Sequence, residues 1–410
     1  MIFVKIKISF QFLPKVKKMP IPAHIVRSLA EILKRERETH TLFLISGMPG
    51  VGKTTLVKAV FNNLAYVDLN DIYPRNLART QPADFFSVYG NRLIVDGIEK
   101  APELTDFLPT DDSSQIVLVG YLPAEKKNLL IEYGGLKCHC VLPFSQREYA
   151  QKEPCLWGNE AIPLRISYPQ PGFFDVIRNG FLPRSDLAQS TSSFYESWLA
   201  DFFANHVRDV LHAYKDALFF RYMKVLAEHN MQELNHSKYA KEAGISYATA
   251  IYWTDFLLDC GVLLEVPSMK LKERRQVKRS KLTYADSGLL TFLLGCSSGE
   301  ELYAHANYYG VLAGFTAAEI IKNYAAKGVR APLFFYRDTA RKHVELAIES
   351  SNGWLPIAFL SQKAASMKES IRHGDVLIKI GGACQDMLFV SDGTLAVETT
   401  SYPIVAASSL

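Results

Sequence analysis

Apolar and polar positions repeat with different periods along the chain, and the changes of period divide it. Near the start, Ile25, Leu29, Ile32 and Leu33 recur at helical spacing, and Lys34 to Glu38 form a charged end. This predicts an amphipathic helix. Thr41-Leu42-Phe43-Leu44-Ile45-Ser46 then reads as a short buried strand, followed by a glycine-rich loop and a helix over about Lys53 to Asn62. Further strands are predicted at Ala65 to Leu69, Arg92 to Val95 and Gln115 to Val119, with helical or loop stretches between them. That alternation predicts an α/β domain with a parallel sheet and crossover helices.

After about Tyr149 the pattern changes. Pro154, Pro163, Pro169, Pro171 and Pro183 mark a loop-rich connector. From Ser193 to Gly295 the period is mostly helical, and beyond Ala304 strands return at Leu333 to Tyr336, Val344 to Ile348 and Leu355 to Leu360. The chain therefore divides into an extension (1–19), an α/β domain (20–150), a connector (151–192), a helical region (193–295) and a second α/β domain (296–410).

The glycine-rich loop carries the most specific chemistry. Gly47-Met48-Pro49-Gly50-Val51-Gly52-Lys53-Thr54 fits G-x-x-x-x-G-K-[ST] at every position, between a strand and a helix. Such a loop turns backbone N–H groups around a phosphate, and the helix N-terminus adds its dipole. The expected ligand is ATP with Mg²⁺, held by residues 47–54 and Thr55. Lys53 is expected on the β- and γ-phosphates and the Thr54 hydroxyl on the metal. Arg92-Leu93-Ile94-Val95-Asp96 supplies the second half of the site, an acid at a strand end that would hold Mg²⁺ through its water shell. The next residue, where a water-orienting Glu commonly stands, is Gly97. Glu99 is the nearby acid that would have to stand in, and a shift of two positions changes where its carboxylate points.

Composition adds limits. The chain has 410 residues, 48% of them apolar and 21% charged, with a net charge of +4, which permits nucleic-acid contact without arguing for it. Six cysteines with no repeated spacing fit a reducing cytoplasm better than a disulfide framework. Apolar runs fall short of the ~18 residues of a membrane span. Lys5, Lys7, Lys15, Lys17 and Lys18 interrupt the N-terminal apolar stretch, so a signal peptide is not expected. Phe3 to Ile8 alternates like a strand, and Met19 is an alternative start.

Several segments together resemble a known family. They are the loop, Tyr66 to Asp71, Asp96 to Leu104, Ile116 to Gly120, Leu142 to Tyr149, Asn179 to Pro183, Trp198, Arg208-Asp209 and Lys281 to Leu289. In this order they resemble prokaryotic AAA-superfamily ATPases whose C-terminal part is the domain of unknown function 4143. The resemblance covers nearly the whole chain from about Ile25. It implies an AAA-type sheet, a winged-helix region and a C-terminal fold of restriction-nuclease type. Against the family pattern, Gly97 replaces the Glu, Val119-Gly120-Tyr121 replaces a Thr-Gly-Ser sensor, and Gly134-Gly135-Leu136 replaces Ala-Gly-Arg, leaving Lys137 as the nearest cation. Lysine does not replace the bidentate fork of arginine.

The helical region reads as three helices, Phe219 to Ala227, Ser237 to Glu242 and Tyr247 to Asp259, with Ala240 and Gly244 at helix-turn-helix spacing and wing strands at Gly261 to Val266 and Lys281 to Tyr284. The third helix has Asp255 and Asp259 and no Lys or Arg, which opposes phosphate contact. Its Tyr252, Trp253, Phe256 and Leu257 read as core. Positive charge sits in the wing instead, at Lys270, Lys272, Arg274, Arg275, Lys278, Arg279 and Lys281, as a solvated run, a DNA-backbone contact or a patch for an acidic protein. In the C-terminal domain the resemblance places Gly314, Ala358 and Leu360 where the nuclease fold has Glu, Glu and Lys, while Asp338 and Glu345 retain acids. Nuclease activity is not expected, and Cys138-His139-Cys140 reads as packing.

The leading expectation is an ATP-binding regulatory or scaffold protein with slow or absent hydrolysis. The alternatives are an ATPase that remodels nucleic acid or a partner, completed in an oligomer, and a DNA-associated protein that uses the basic wing.

Overall fold

The computed structural model describes residues 6–7, 27–157 (apart from 110 and 112), 172–184, 190–208, 215–269, 279–338, 342–361 (apart from 352), 387–392, 396–397, 404–407 and 410. Ile25, Pro163, Pro169, Pro171 and the wing residues Lys270, Lys272, Arg274, Arg275 and Lys278 lie outside the described residues.

A short strand β1 (Ile6–Lys7) precedes helix α1 (Leu29–Glu36). Strands β2 (Leu42–Ser46), β3 (Ala65–Asp68), β4 (Arg92–Asp96), β5 (Gln115–Val119) and β6 (Lys137–Cys140) form a five-stranded parallel sheet in the order β3-β4-β5-β2-β6. Helices α2 (Lys53–Val60), α3 (Ile72–Thr80), α4 (Pro82–Tyr89) and α5 (Ala124–Gly134) connect the strands. The apolar runs of these strands are explained by burial on both faces. Phe43, Ile45, Ile94, Val117 and Val119 face one core with Leu33, Leu56 and Val57. Leu42, Leu44, Leu93, Val95, Ile116 and Leu118 face another with Ala78 and Phe85. The first core continues into the rest of the chain through Phe202, Phe219 and Phe256.

Helices α6 (Gln146–Tyr149) and α7 (Phe173–Asn179) lead to α8 (Thr191–Phe202), which runs into a π-helical turn at Phe203–Val207. Helices α9 (Asp216–Glu228), α10 (His236–Ala243) and α11 (Tyr247–Asp259) follow, then an antiparallel pair, β7 (Leu263–Val266) and β8 (Lys281–Tyr284). Gly244 ends α10 at φ 71°, the left-handed region that favours glycine, and Ala240 is buried against its neighbours. Trp253, Phe256 and Leu257 are core, as their spacing predicts, whereas Tyr252 is 55% exposed. Tyr252 lies about 100° around the helix from Trp253, on the side away from the buried Ala250, Thr254 and Leu257.

Helices α12 (Ser287–Leu293), α13 (Gly299–Ala304) and α14 (Tyr308–Ala326) precede a mixed five-stranded sheet of order β14-β12-β11-β10-β9. Its strands are β9 (Leu333–Arg337), β10 (His343–Ser350), β11 (Gly353–Leu360), β12 (Leu388–Ser391) and β14 (Ile404–Ala406), while β13 (Ala396–Val397) pairs with β1. Segments far apart in sequence meet at Asp286. Its carboxylate accepts from Phe181 N at 2.7 Å, Leu289 N at 2.9 Å and the Tyr195 hydroxyl at 2.5 Å. Gly314 is required by packing, since a Cβ there would lie 2.3 Å from Asn230 Nδ2 and 2.4 Å from Thr283 Oγ1. Lys281 is not a solvated wing charge. It is buried on β8 and its ammonium donates to Glu345 Oε1 at 2.6 Å, so Glu345 is tied into that pair. Arg279 is exposed.

Candidate functional site

The loop 47–52 joins the end of β2 to the start of α2. Gly47, Gly50 and Gly52 have φ of 137°, 76° and 92°, conformations that side chains rarely adopt. At Gly47 space is also lacking, because a Cβ would lie 2.1 Å from the Val141 carbonyl oxygen. Met48 and Val51 are buried and anchor the loop, Pro49 is half-buried, and Gly50 and Thr55 are exposed. The Lys53 ammonium folds back over the loop and donates to Gly47 O at 2.7 Å and Met48 O at 3.1 Å. Burial lowers its pKa, and the nearby charges of Glu99 and then Asp96 oppose that shift.

Parallel strands bring their carboxyl ends into one row. Asp68 pairs with Asp96, Asp96 with Val119, and Val119 with Ile45 in the sheet register. Strand β5 thus separates the loop strand from the acid strand, and Thr54 meets Asp96 across its end. The Thr54 hydroxyl donates to Asp96 Oδ2 at 2.6 Å, and the Tyr66 hydroxyl donates to the same oxygen at 2.9 Å. Tyr66 was not legible as a site residue from sequence. Lys137 lies elsewhere: it pairs with Phe43 at the amino end of the sheet, opposite to the loop. At ~3.3 Å per residue, about 10 Å of strand separates it from the row of carboxyl ends.

Glu99, the acid raised as a stand-in, is placed by the turn that follows β4. Gly97 has φ 83° and its N–H donates to Val119 O at 2.9 Å. This left-handed residue turns the chain into the 3-10 turn Ile98–Lys100, which returns Glu99 to the end of β5. A Cβ on Gly120 would sit 2.0 Å from Glu99 Oε2, so only glycine fits beside the carboxylate. Glu99 is buried, and its Oε2 has no hydrogen-bond partner. His206 Nδ1 lies 3.5 Å from Oε1. Burial raises the Glu99 pKa, opposed by its own backbone N–H, by Lys53 and by the backbone N–H of Tyr121. The adjacent Tyr121 hydroxyl is also buried without a hydrogen-bond partner, and burial followed by the Glu99 charge pushes its pKa up.

Among the described residues, the helical region touches this site through Trp198, Gly261, His206 and Phe256. Trp198 Nε1 donates to Pro49 O at 2.9 Å, and the indole stacks on Phe202 with ring centroids 5.0 Å apart. Gly261, just past α11, approaches so closely that a Cβ would lie 3.2 Å from Gly47 Cα and Met48 N. Its φ of 72° is the usual reason for glycine after a helix, a signal that marks the turn but not its neighbour. His206 makes a further contact, and nothing in the sequence pattern marks it. Phe256 packs edge-on against Tyr121 at 5.6 Å.

Elsewhere, His139 Nε2 lies 2.6 Å from Glu36 Oε2, and among the described residues no group of three His, Cys, Asp or Glu side chains is arranged to hold a metal ion. No helix among the described residues is long and apolar enough to cross a membrane.

A glycine-rich loop between strand and helix, with an acid strand two places away in a parallel sheet, defines a P-loop nucleotide-binding domain. The family described as the NB-ARC domain matches residues 23–73, which include the loop and the strands on either side of it. A domain of unknown function, DUF8612, matches residues 170–300, the stretch where the resemblance pointed to the domain of unknown function 4143. No curated protein matches. Among solved structures, a Signal Transduction ATPase with Numerous Domains (STAND) protein with a tetratricopeptide repeat sensor, from Pyrococcus horikoshii, aligns at 12% identity and a TM-score of 0.22. The alignment covers 77% of this chain, which spans 48% of that protein's length.

Proposed function

We propose that this chain is a nucleotide-controlled regulatory protein that binds ATP with Mg²⁺ and whose helical region responds to the bound nucleotide. The observation that carries this reading is the seating of Trp198 and Gly261 directly on the phosphate loop. A phosphate entering the loop competes with the Gly47 and Met48 carbonyls for the Lys53 ammonium and alters the surface on which Trp198 rests. The Thr54 hydroxyl and Asp96 carboxylate are hard oxygen donors 2.6 Å apart, a set that suits hydrated Mg²⁺. Bound there, the ion would neutralise phosphate charge. Thr54, Asp96 and residues 47–53 are the groups assigned to the ligand, with Thr55 at the edge.

Within this reading, residues 20–150 are the AAA-type ATP-binding unit, 151–192 the connector, 193–295 a winged-helix region and 296–410 a C-terminal domain without nuclease chemistry. The strand order and the succession of three helices and a hairpin support the first and third of these. The DNA-associated reading is weakened by α11, which buries Trp253, Phe256 and Leu257 and ends against the phosphate loop. The test is amide hydrogen exchange with and without ATP·Mg²⁺. Exchange is expected to change over residues 198–207 and 256–263 as well as the loop. Binding that alters the loop alone would refute the switch.

A further inference from the structure

We propose that Glu99 is the carboxylate that activates water at the phosphate site, and that His206 holds it in position from the helical region. The proposal rests on the ATP-binding reading above and extends it to a reaction, hydrolysis of the γ-phosphate.

The first observation is the route of the chain. Gly97 lacks a side chain, but its left-handed turn delivers Glu99 to the strand end between the loop strand and the acid strand. The carboxylate missing at one position is restored from another, and Gly120 leaves the space for it. The second is an unmet need. Glu99 Oε2 is buried without a donor, which costs about 1–3 kcal/mol or more for a charged group. A water molecule would relieve that cost. The same oxygen is then free to take a proton from the water. The third is the His206 contact. His206 lies on the π-helical turn Phe203–Val207, an irregularity that recurs at functional sites because it re-aims side chains. Its ring lies against Phe202 and Tyr121, with Nδ1 3.5 Å from Glu99 Oε1. Phe202 also stacks on Trp198, so the histidine and the loop contact share one support.

In the reaction, the water oxygen bonds to the γ-phosphorus while Glu99 accepts a water proton. The bond from the γ-phosphorus to the β–γ bridging oxygen breaks, and its electron pair stays on ADP. Inorganic phosphate and ADP leave. Because His206 belongs to the helical region, the acid is fixed only while that region sits on the loop. Hydrolysis is thereby tied to the seating of Trp198 and Gly261.

The experiment uses the full chain, ATP·Mg²⁺ labelled at the γ-phosphate for single-turnover release, and a fluorescent ATP analogue for equilibrium binding. Glu99→Gln is expected to bind the analogue within about 3-fold of the parent, well under 1.4 kcal/mol. Its phosphate release should fall at least ~100-fold, the lower range for loss of a general base. His206→Ala should slow release by about 10-fold at unchanged affinity, equivalent to 1.4 kcal/mol. His206→Gln, which keeps a polar side chain facing Glu99, should recover part of that rate. Release by Glu99→Gln at the parental rate overturns the proposal, as does a parent that binds ATP and releases no phosphate. An unaltered rate in His206→Ala overturns the positioning role. A parent that fails to bind the analogue overturns instead the reading on which the proposal stands.

Discussion

Two buried glutamates in this chain live under opposite conditions. Glu319, on α14, has both oxygens occupied: Lys322 Nζ donates at 2.9 Å and Gln146 N at 2.7 Å. Glu99 also lies in the interior, yet one of its oxygens has no donor, and Tyr121 beside it has an idle hydroxyl. Burial raises both pKa values, but only Glu319 has an ammonium in hydrogen-bond contact to offset it. Natural interiors rarely leave polar atoms unpaired, and each exception calls for an explanation such as a ligand, a reaction or a bound water. The Glu319 carboxylate therefore serves cohesion, and the Glu99 carboxylate is left open to a ligand.

The largest effect should come from breaking the paired site. Glu319→Ala leaves Lys322 buried without its carboxylate, and removal of one partner from a buried pair costs about 3–5 kcal/mol. Denaturant unfolding should show that loss. Glu319→Leu combined with Lys322→Met should recover most of it, since removing both charges removes the unpaired one. If the single variant loses less than about 1 kcal/mol, the contrast between the two glutamates fails.

Next in size is Lys53→Ala. Among the described residues its ammonium donates to backbone carbonyls of its own loop, with the charges of Glu99 and Asp96 nearby. Affinity for ATP, measured by calorimetry, should fall at least ~100-fold, or about 2.7 kcal/mol. Stability without nucleotide should change by under about 1 kcal/mol. A variant that unfolds instead would place Lys53 with Glu319 among the structural charges.

Much of this arrangement was legible in the sequence, and the part that was not has a common physical cause. Strands β2, β4 and β5 declare themselves because burial on both faces demands continuous apolar runs. The loop declares itself because its glycines are required by backbone geometry within a few residues. Position along the chain does not give the direction of Glu99, since one left-handed glycine reverses the direction in which the next residues point. It misled for Lys281, where a run of basic residues concealed one that pairs inward with Glu345. Lys137 is near in sequence to the expected arginine but starts its strand at the far end of the sheet. His206, Tyr66 and Gly261 reach the site through tertiary packing, and no local pattern encodes that.

A smaller effect tests how the two regions are joined. Trp198→Phe keeps an aromatic ring against Phe202 but loses the donation to Pro49 O. One neutral hydrogen bond contributes about 1 kcal/mol. Amide exchange in the loop 47–52 should quicken about 5-fold without nucleotide, the equivalent of that energy. Unchanged exchange would mean that the helical region rests on the loop without restraining it.

The smallest effect concerns pH and the orphaned oxygen itself. Burial raises the folded-state pKa of Glu99 above its ordinary carboxylate value. Below that ordinary value the acid is protonated in both states, so folding loses nothing. Between the ordinary and the raised value, the unfolded chain ionises while the folded chain keeps its proton. Stability therefore falls as pH rises through this window, and the full penalty holds above it. Glu99→Gln removes the titration and keeps the shape. In thermal unfolding without nucleotide, the variant should be more stable than the parent near pH 7 by about 1 kcal/mol, since its amide still leaves a polar atom unpaired and only the added cost of the charge is removed. The two curves should converge as pH falls below the ordinary carboxylate range. Other titrating groups, Glu319 included, are common to both proteins, so the difference isolates Glu99. If the variant is instead less stable near pH 7, the carboxylate is satisfied in the folded chain, and the distinction between an acid held for cohesion and an acid held for a ligand disappears.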